Sequence, residues 1–428
     1  MKNIASRDTF NTHPLIVTTF VVLAAFLVCA RSAQAAAPAI VWVDDDYTAT
    51  GANDGHTWAV DAFAVLQEAV DAVAEKGTVV IAAGTYKGAA PKKAVNIEAK
   101  PGAIIRGASP AMTVSYPVSL GGGTWLPNPA DGNDPAFLVL AGGSLILRNA
   151  TIQESTAADN ACIEVQGGTV DAGTASSPGN NDFQVTGPGS FIVNKTGTPI
   201  SGTGNTWRQD GTALTSGFEI EDRMVHALDN PDYGLVTWAA DSVFVTTSSG
   251  SLQRAIAASS AGFTINIGPG AFAEAGQIAI SKNLNFVGQG IAVTTVKPAS
   301  DTGTSGNLRG WWLVDAGVTM NTSNLTLDGS GWKVYQAVRD FGSGTFSNVR
   351  FTSIQYDPST AYMGVAVASM TGSSLTLSGC SFDNIGRIGV IFFGPGTTGT
   401  YSGNTYTGKG NGNWLDYAVE VGGGAVAT

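Results

Sequence analysis

The chain has 428 residues, of which 13% are charged and 55 are glycine, and its formal net charge is −11. So few charges exclude a coiled coil and charged disorder; many short β segments broken by Gly, Asn, Ser and Thr fit the composition better. The acidic balance excludes nucleic acid as an expected partner, because binding it needs a basic footprint.

Lys2 and Arg7 precede an apolar stretch from Leu15 to Ala30, and Ala33-Gln34-Ala35 follows as a small-residue cleavage site. This pattern predicts an export signal over residues 1–35, cut after Ala35. Val28 before Cys29 does not fit a lipoprotein signal. No other segment is long and apolar enough to span a bilayer. Cys162 and Cys380 remain, too few for a disulfide framework, and are expected to be two buried thiols.

Trp42 and Val43 form a short strand before Asp44-Asp45-Asp46, and a polar, Gly-rich loop follows over Gly51 to Thr57. Phe63, Leu66, Ala69, Val70 and Val73 then recur at three- and four-residue spacing, which predicts an amphipathic helix ending near Gly77. Strands Val79–Ala82 and Val95–Ile97 come next. Residues 218–229, Phe-Glu-Ile-Glu-Asp-Arg-Met-Val-His-Ala-Leu-Asp, place Ile220, Met224, Val225 and Leu228 on one helical face. They predict a helical bracket that contains His226 and is stopped by Asn230-Pro231. A second series then repeats the first: strand Val243–Thr246, a helix through Leu252 and Ile256, and strands Thr264–Ile267, Ile278–Ile280 and Leu284–Val287.

The repetition is literal. Leu66-Gln67-Glu68-Ala69-Val70 matches Leu252-Gln253-Arg254-Ala255-Ile256, and Gly84-Thr85-Tyr86 matches Gly270-Ala271-Phe272, both at a separation of 186 residues. Self-similarity of this kind points to a repeat architecture. Later segments stack on one another at steps of 24, 31 and 24 residues: Ser323-Asn-Leu-Thr-Leu-Asp, Ser347-Asn-Val-Arg-Phe-Thr, Ser378-Gly-Cys-Ser-Phe-Asp and Ser402-Gly-Asn-Thr-Tyr-Thr. Leu327, Phe351, Phe382 and Tyr406 form one column and Leu325, Val349, Cys380 and Asn404 another, on the same face by alternation. Arg148 to Gln153 has a similar pattern. Coils of about 24 residues that feed short strands into parallel sheets make a β-helix, whose open end a helix would cover. A β-sandwich array explains the strands but not the column register. The last residues, Val419 to Thr428, read as the middle of a rung, which points to a truncated product.

These segments, with Lys282-Asn283-Leu284-Asn285-Phe286-Val287-Gly288, resemble the N-terminal cap and first coils of the right-handed parallel β-helix, or pectin-lyase-like, superfamily. The joint from Glu219 to Val236 resembles a segment of large bacterial exported surface proteins. The resemblance covers most of residues 40–428. It implies an all-β, right-handed parallel β-helix solenoid of two tandem modules, 36–232 and 233–428, each opened by a short capping α-helix. It is weak for activity, because one fold hosts many functions. The superfamily's hydrolase signatures, Asn-Thr-Asp-Gly and Gly-His-Gly, are absent, and so are the Trp-x-Asp-His and Arg-x-Pro-x-x-Arg stretches of its lyases.

Three groups of residues could carry chemistry. Asp328, Arg350 and Asp383 fall on or beside the outward face of neighbouring rungs, where an Arg could serve as the base of a β-elimination and two carboxylates could hydrolyse a glycoside. Thr352 intervenes, so the carboxylates are expected about 10 Å apart, slightly beyond the inverting separation. Trp311, Trp312, Trp332 and Tyr335 could stack on sugar rings, or could be internal packing or a loop lid. Asp44, Asp45 and Asp46, joined by Asp54, could bind Ca²⁺, although the repeating Asp-x-Asp spacing of known loops is missing and a solvated strand end explains them as well. His56 reads as a loop residue. No cofactor beyond that cation is expected.

Three functions follow. The first is an exported, non-catalytic, adhesin-like rod at the surface of a Gram-negative bacterium, meeting an extracellular polysaccharide or cell-surface glycan. The second is a polysaccharide lyase or glycoside hydrolase with an unfamiliar site. The third is a carbohydrate-binding protein.

Overall fold

The computed structural model describes residues 36–128, 134–154, 160–249, 251–356, 363–410 and 415–428. The expected export signal, residues 1–35, lies outside them. Alternating apolar residues form short strands, and the strands stack on one another through the chain. Among the described residues they make four sheets, of 14, 5, 12 and 6 strands. The only antiparallel ladder there joins Thr206–Gln209 to Thr212–Ala213. The fold is all-β, with large parallel sheets in a solenoid-like stack. Ala37–Thr428 form one compact unit. Among the described residues no helix is long and apolar enough to cross a membrane.

The column register is observed. Leu327 pairs with Phe351, Phe351 with Phe382, and Phe382 with Tyr406. The Phe351 and Phe382 rings stack at 5.0 Å and 4°. Asn324 and Asn348, at φ 57° and 53°, turn the chain at one position of successive rungs, and Gly379 and Gly403 take over that position in the next two. Asn and Gly are the residues that adopt left-handed backbone cheaply. The Asn348 amide donates to Asn324 Oδ1 at 2.8 Å, which makes the turn a side-chain ladder. Cys162 and Cys380 are free and buried.

The two helical openings use their repeated residues alike. Helix α1, Leu66–Ala72, buries Leu66, Ala69 and Val70 against the first strands. The matching helix in the second series, Leu252–Ala258, buries Leu252, Ala255 and Ile256. Gln67 accepts from the Ala90 amide at 2.8 Å, and Gln253 donates to the Ala275 carbonyl at 2.7 Å. Each glutamine therefore ties its helix to the next turn of chain. The first helix is shorter than the periodicity suggests. Phe63 lies outside it, in a two-residue strand paired with Val43, so its burial comes from a ladder rather than from a helix face.

The joint differs more. Only Gly217–Glu221 is helical, and Met224–Val225 is a strand paired with Ile192–Val193. Rung pairing has overridden the helical spacing there. His226 is buried: its Nδ1 accepts from the Val236 amide at 3.0 Å, and its Nε2 lies 2.6 Å from Glu221 Oε1. The accepted amide bond leaves the proton on Nε2, which donates to Glu221. Trp238 donates to the other Glu221 oxygen at 2.9 Å.

Candidate functional site

Rung register carries Asp328, Thr352 and Asp383 onto one line, with Arg350 two residues before Thr352 on the same strand. Arg350 grips Asp383 through two bonds, of 2.8 and 3.1 Å, and Thr352 adds a third at 2.6 Å. Asp328 turns instead to Lys297 at 2.9 Å and accepts the Ser330 amide at 2.9 Å. The Arg350 bond holds the Asp383 carboxyl below the usual range, and Asp383 in turn raises the guanidinium. Burial pushes Asp328 up, but Lys297 and Ser330 outweigh it and hold that carboxyl low as well. The result is two ion pairs along a face. Neither carboxyl has a proton to give near neutral pH, and Arg350 is held charged.

The four aromatics do not form one platform. Trp311 and Trp312 are 1% and 0% exposed, so neither can meet a sugar. Trp312 packs edge-on to Phe286 in the interior. Trp311 lies under the loop that carries Ser300 to Leu308. Of the two readings of these residues, sugar stacking or internal packing, packing holds for Trp311 and Trp312: the strand Gly310–Val314 is almost wholly buried. Trp332 is 44% exposed and opens onto a cleft of about 440 Å³ with Lys333, Ser353, Gln355 and Asn384. Gln355 donates to Asn384 Oδ1 at 2.6 Å, which sets two amides beside the indole. Tyr335 lies apart from that cleft, its ring 5.2 Å from Tyr356 and beneath the Arg309 guanidinium.

Asp44, Asp45 and Asp46 bring ligand atoms within 4.8 Å of one another. Asp54 is not part of that group and accepts from the Tyr47 hydroxyl at 3.3 Å. The carboxylates also serve the backbone: Asp45 accepts the Thr85 amide at 3.1 Å and Asp44 the Asp46 amide at 3.0 Å. Burial first, then the neighbouring aspartates, pushes Tyr47 and Tyr86 up to about 12. With one ligand atom from each residue, the trio offers three oxygens, fewer by itself than the six to eight that Ca²⁺ takes.

One cluster escaped the sequence reading. A cavity of about 300 Å³ is lined by Arg309, Arg339 and Arg387 together with Tyr335 and an apolar floor. Extending the register of Gly310, Gln336, Val365 and Ile388 back by one residue puts Arg309, Tyr335, Gly364 and Arg387 in one column. Arg339 lies in a second column, after Leu313 and before Ala368, Ile391 and Glu420. The small Gly364 and Ala368 leave the hollow between them. Among the described residues none of the three arginines has an acidic partner within ion-pair distance, and the Arg387 Nε is buried with no hydrogen-bond partner. Burial and the facing Arg309 both hold Arg339 below its usual range. These strands align as columns just as Leu327 and Phe351 do, and that alignment is the signal in the sequence that brings the cluster together.

The sequence matches no protein-family model and no curated protein, so the residues and their geometry carry the functional reading.

Proposed function

We propose that this chain is an exported bacterial surface protein built on two tandem right-handed parallel β-helix modules, 36–232 and 233–428, each opened by a short capping helix. Its work is non-catalytic: it holds a stiff scaffold and touches glycan at its surface. The observation that carries this reading is the pairing of Lys297 with Asp328 and of Arg350 with Asp383. Glycoside hydrolysis needs one protonated and one ionised carboxyl, and both carboxyls here are held ionised. The literal repeat and the missing enzyme signatures support the same reading. The glycan contact belongs to Trp332, whose exposed ring and neighbouring amides offer the flat apolar face and polar handles that sugars take.

The test is binding of residues 36–428 to a panel of neutral and acidic polysaccharides by affinity electrophoresis. Retention by at least one polymer, lost in Trp332→Ala and kept in Arg350→Gln, is the expected result. Retention that survives Trp332→Ala would remove the contact from this cleft.

A further inference from the structure

A strongly basic hollow is out of place on a chain of net charge −11. The arginine cavity is also amphipathic. Its floor is an apolar cluster outside the main cores, made of Val365, Ala368 and Ile388, with Ile391 and Met370 packed against it. Three guanidiniums face one carboxylate, Glu420, which lies three strands from Arg339 along its column, about 14 Å away at strand spacing. Asp416 follows Arg387 in its column, but its carboxylate accepts from the Tyr406 hydroxyl and the Lys409 amide, and among the described residues no ion pair joins either acid to the arginines. Guanidiniums present a planar fork that suits a carboxylate, and in a partly water-excluded hollow each such bond is worth more than on an open surface. The volume lies at the small end of ligand pockets.

We propose that this cavity binds a small organic acid whose carboxylate sits on an apolar body, an aryl or alkyl carboxylate. The head group meets Arg387 and Arg309, with Arg339 behind them, and the body lies over Val365, Ile388 and Ile391. The Tyr335 ring, which already carries Arg309 at 4.8 Å from its centroid, closes one side. This proposal does not rest on the glycan reading, because it uses a different face and different residues from the Trp332 cleft.

The probe is 2-naphthoate, titrated calorimetrically into residues 36–428. The comparison ligands are 2-naphthylmethanol, acetate and glucuronate. Naphthoate is expected to bind with a dissociation constant in the micromolar range, at least about tenfold below that of each comparison ligand. Arg387→Gln and Arg309→Gln are each expected to weaken it roughly tenfold, and Ile391→Glu to abolish it. Arg309 ends a surface loop, so its variant keeps the test readable where Arg387→Gln fails to fold. The proposal is overturned by naphthylmethanol binding as well as naphthoate, by no saturation up to about 10 mM, or by glutamine variants that bind like the parent. Glucuronate binding more tightly than naphthoate also overturns it, by replacing the apolar body with a sugar.

Discussion

Asp340 points its carboxyl into the interior, where one oxygen accepts the Gly342 amide at 2.6 Å and the other has no partner. Burial pushes its pKa up to about 7 from an unfolded value of 3.8. A raised acid binds its proton more tightly when folded. Its contribution to stability is complete below pH 3.8 and is lost as the pH rises through about 7. At one pKa unit per 1.36 kcal/mol, the loss is on the order of 4 kcal/mol. Asp340→Asn, which cannot ionise, is expected to flatten the fall in melting temperature between pH 4 and 8; an unchanged slope would mean that another group titrates there. Among the aromatics, Trp312→Ala should cost about 3–5 kcal/mol in denaturant unfolding, and Trp332→Ala less than about 0.5. The sequence could not separate these two indoles, because a Trp on a covered strand and a Trp on a loop look alike in a string of letters. Asp328, Arg350 and Asp383 could be placed on one face, but the partner of Asp328, Lys297, comes from the strand paired before it, one residue past the ladder of Val296 to Leu327, and that strand is not among the aligned rungs.

At the scale of elements, what could be read was what repeats. Gln67 and Gln253 dock on the following turn, and Gly84 and Gly270 begin the next strands at φ 156° and 122°. A Cβ on Gly84 would lie 2.6 Å from Asp45 Oδ1, and one on Gly270 2.7 Å from Thr247 Cγ2. Gly84→Ala and Gly270→Ala are each expected to cost about 1–3 kcal/mol, measured by urea unfolding, since backbone strain and contact act together. The rung columns were legible because period-two alternation fixes which residues share a face. The joint was not, since Ile220, Met224 and Leu228 satisfy helical spacing while Met224 is claimed by a ladder to Ile192. Glu221, His226 and Trp238 close a buried network there. His226→Ala removes one donor from a buried carboxylate and should cost about 1.5–3 kcal/mol in the same measurement.

Over the whole molecule, two apolar cores meet at that joint. Ile220, Met224 and Val236 belong to the first core, while Leu228 and Leu235 belong to the second. Phe244, in the first strand of the second series, stacks on Trp238 at 4.8 Å and meets Phe218 edge-on at 5.3 Å. Arg254 donates to the Leu228 and Asp229 carbonyls at 2.7 and 2.8 Å. In stacked architectures stability is a sum of unit and neighbour-interface terms, so contacts like these couple the halves. Phe244→Ala is expected to split one calorimetric transition into two; a single transition at lower temperature would mean that the halves are joined elsewhere.

The measurement that bears most directly on a non-catalytic surface scaffold is a cleavage assay. Residues 36–428 would be incubated with neutral and acidic polysaccharides, and new reducing ends and unsaturated ends followed over time. The scaffold reading predicts no release from any polymer by folded protein, including a polymer that the Trp332 cleft retains. Release that disappears in Arg350→Gln would contradict it and make the Arg350–Asp383 face an active site.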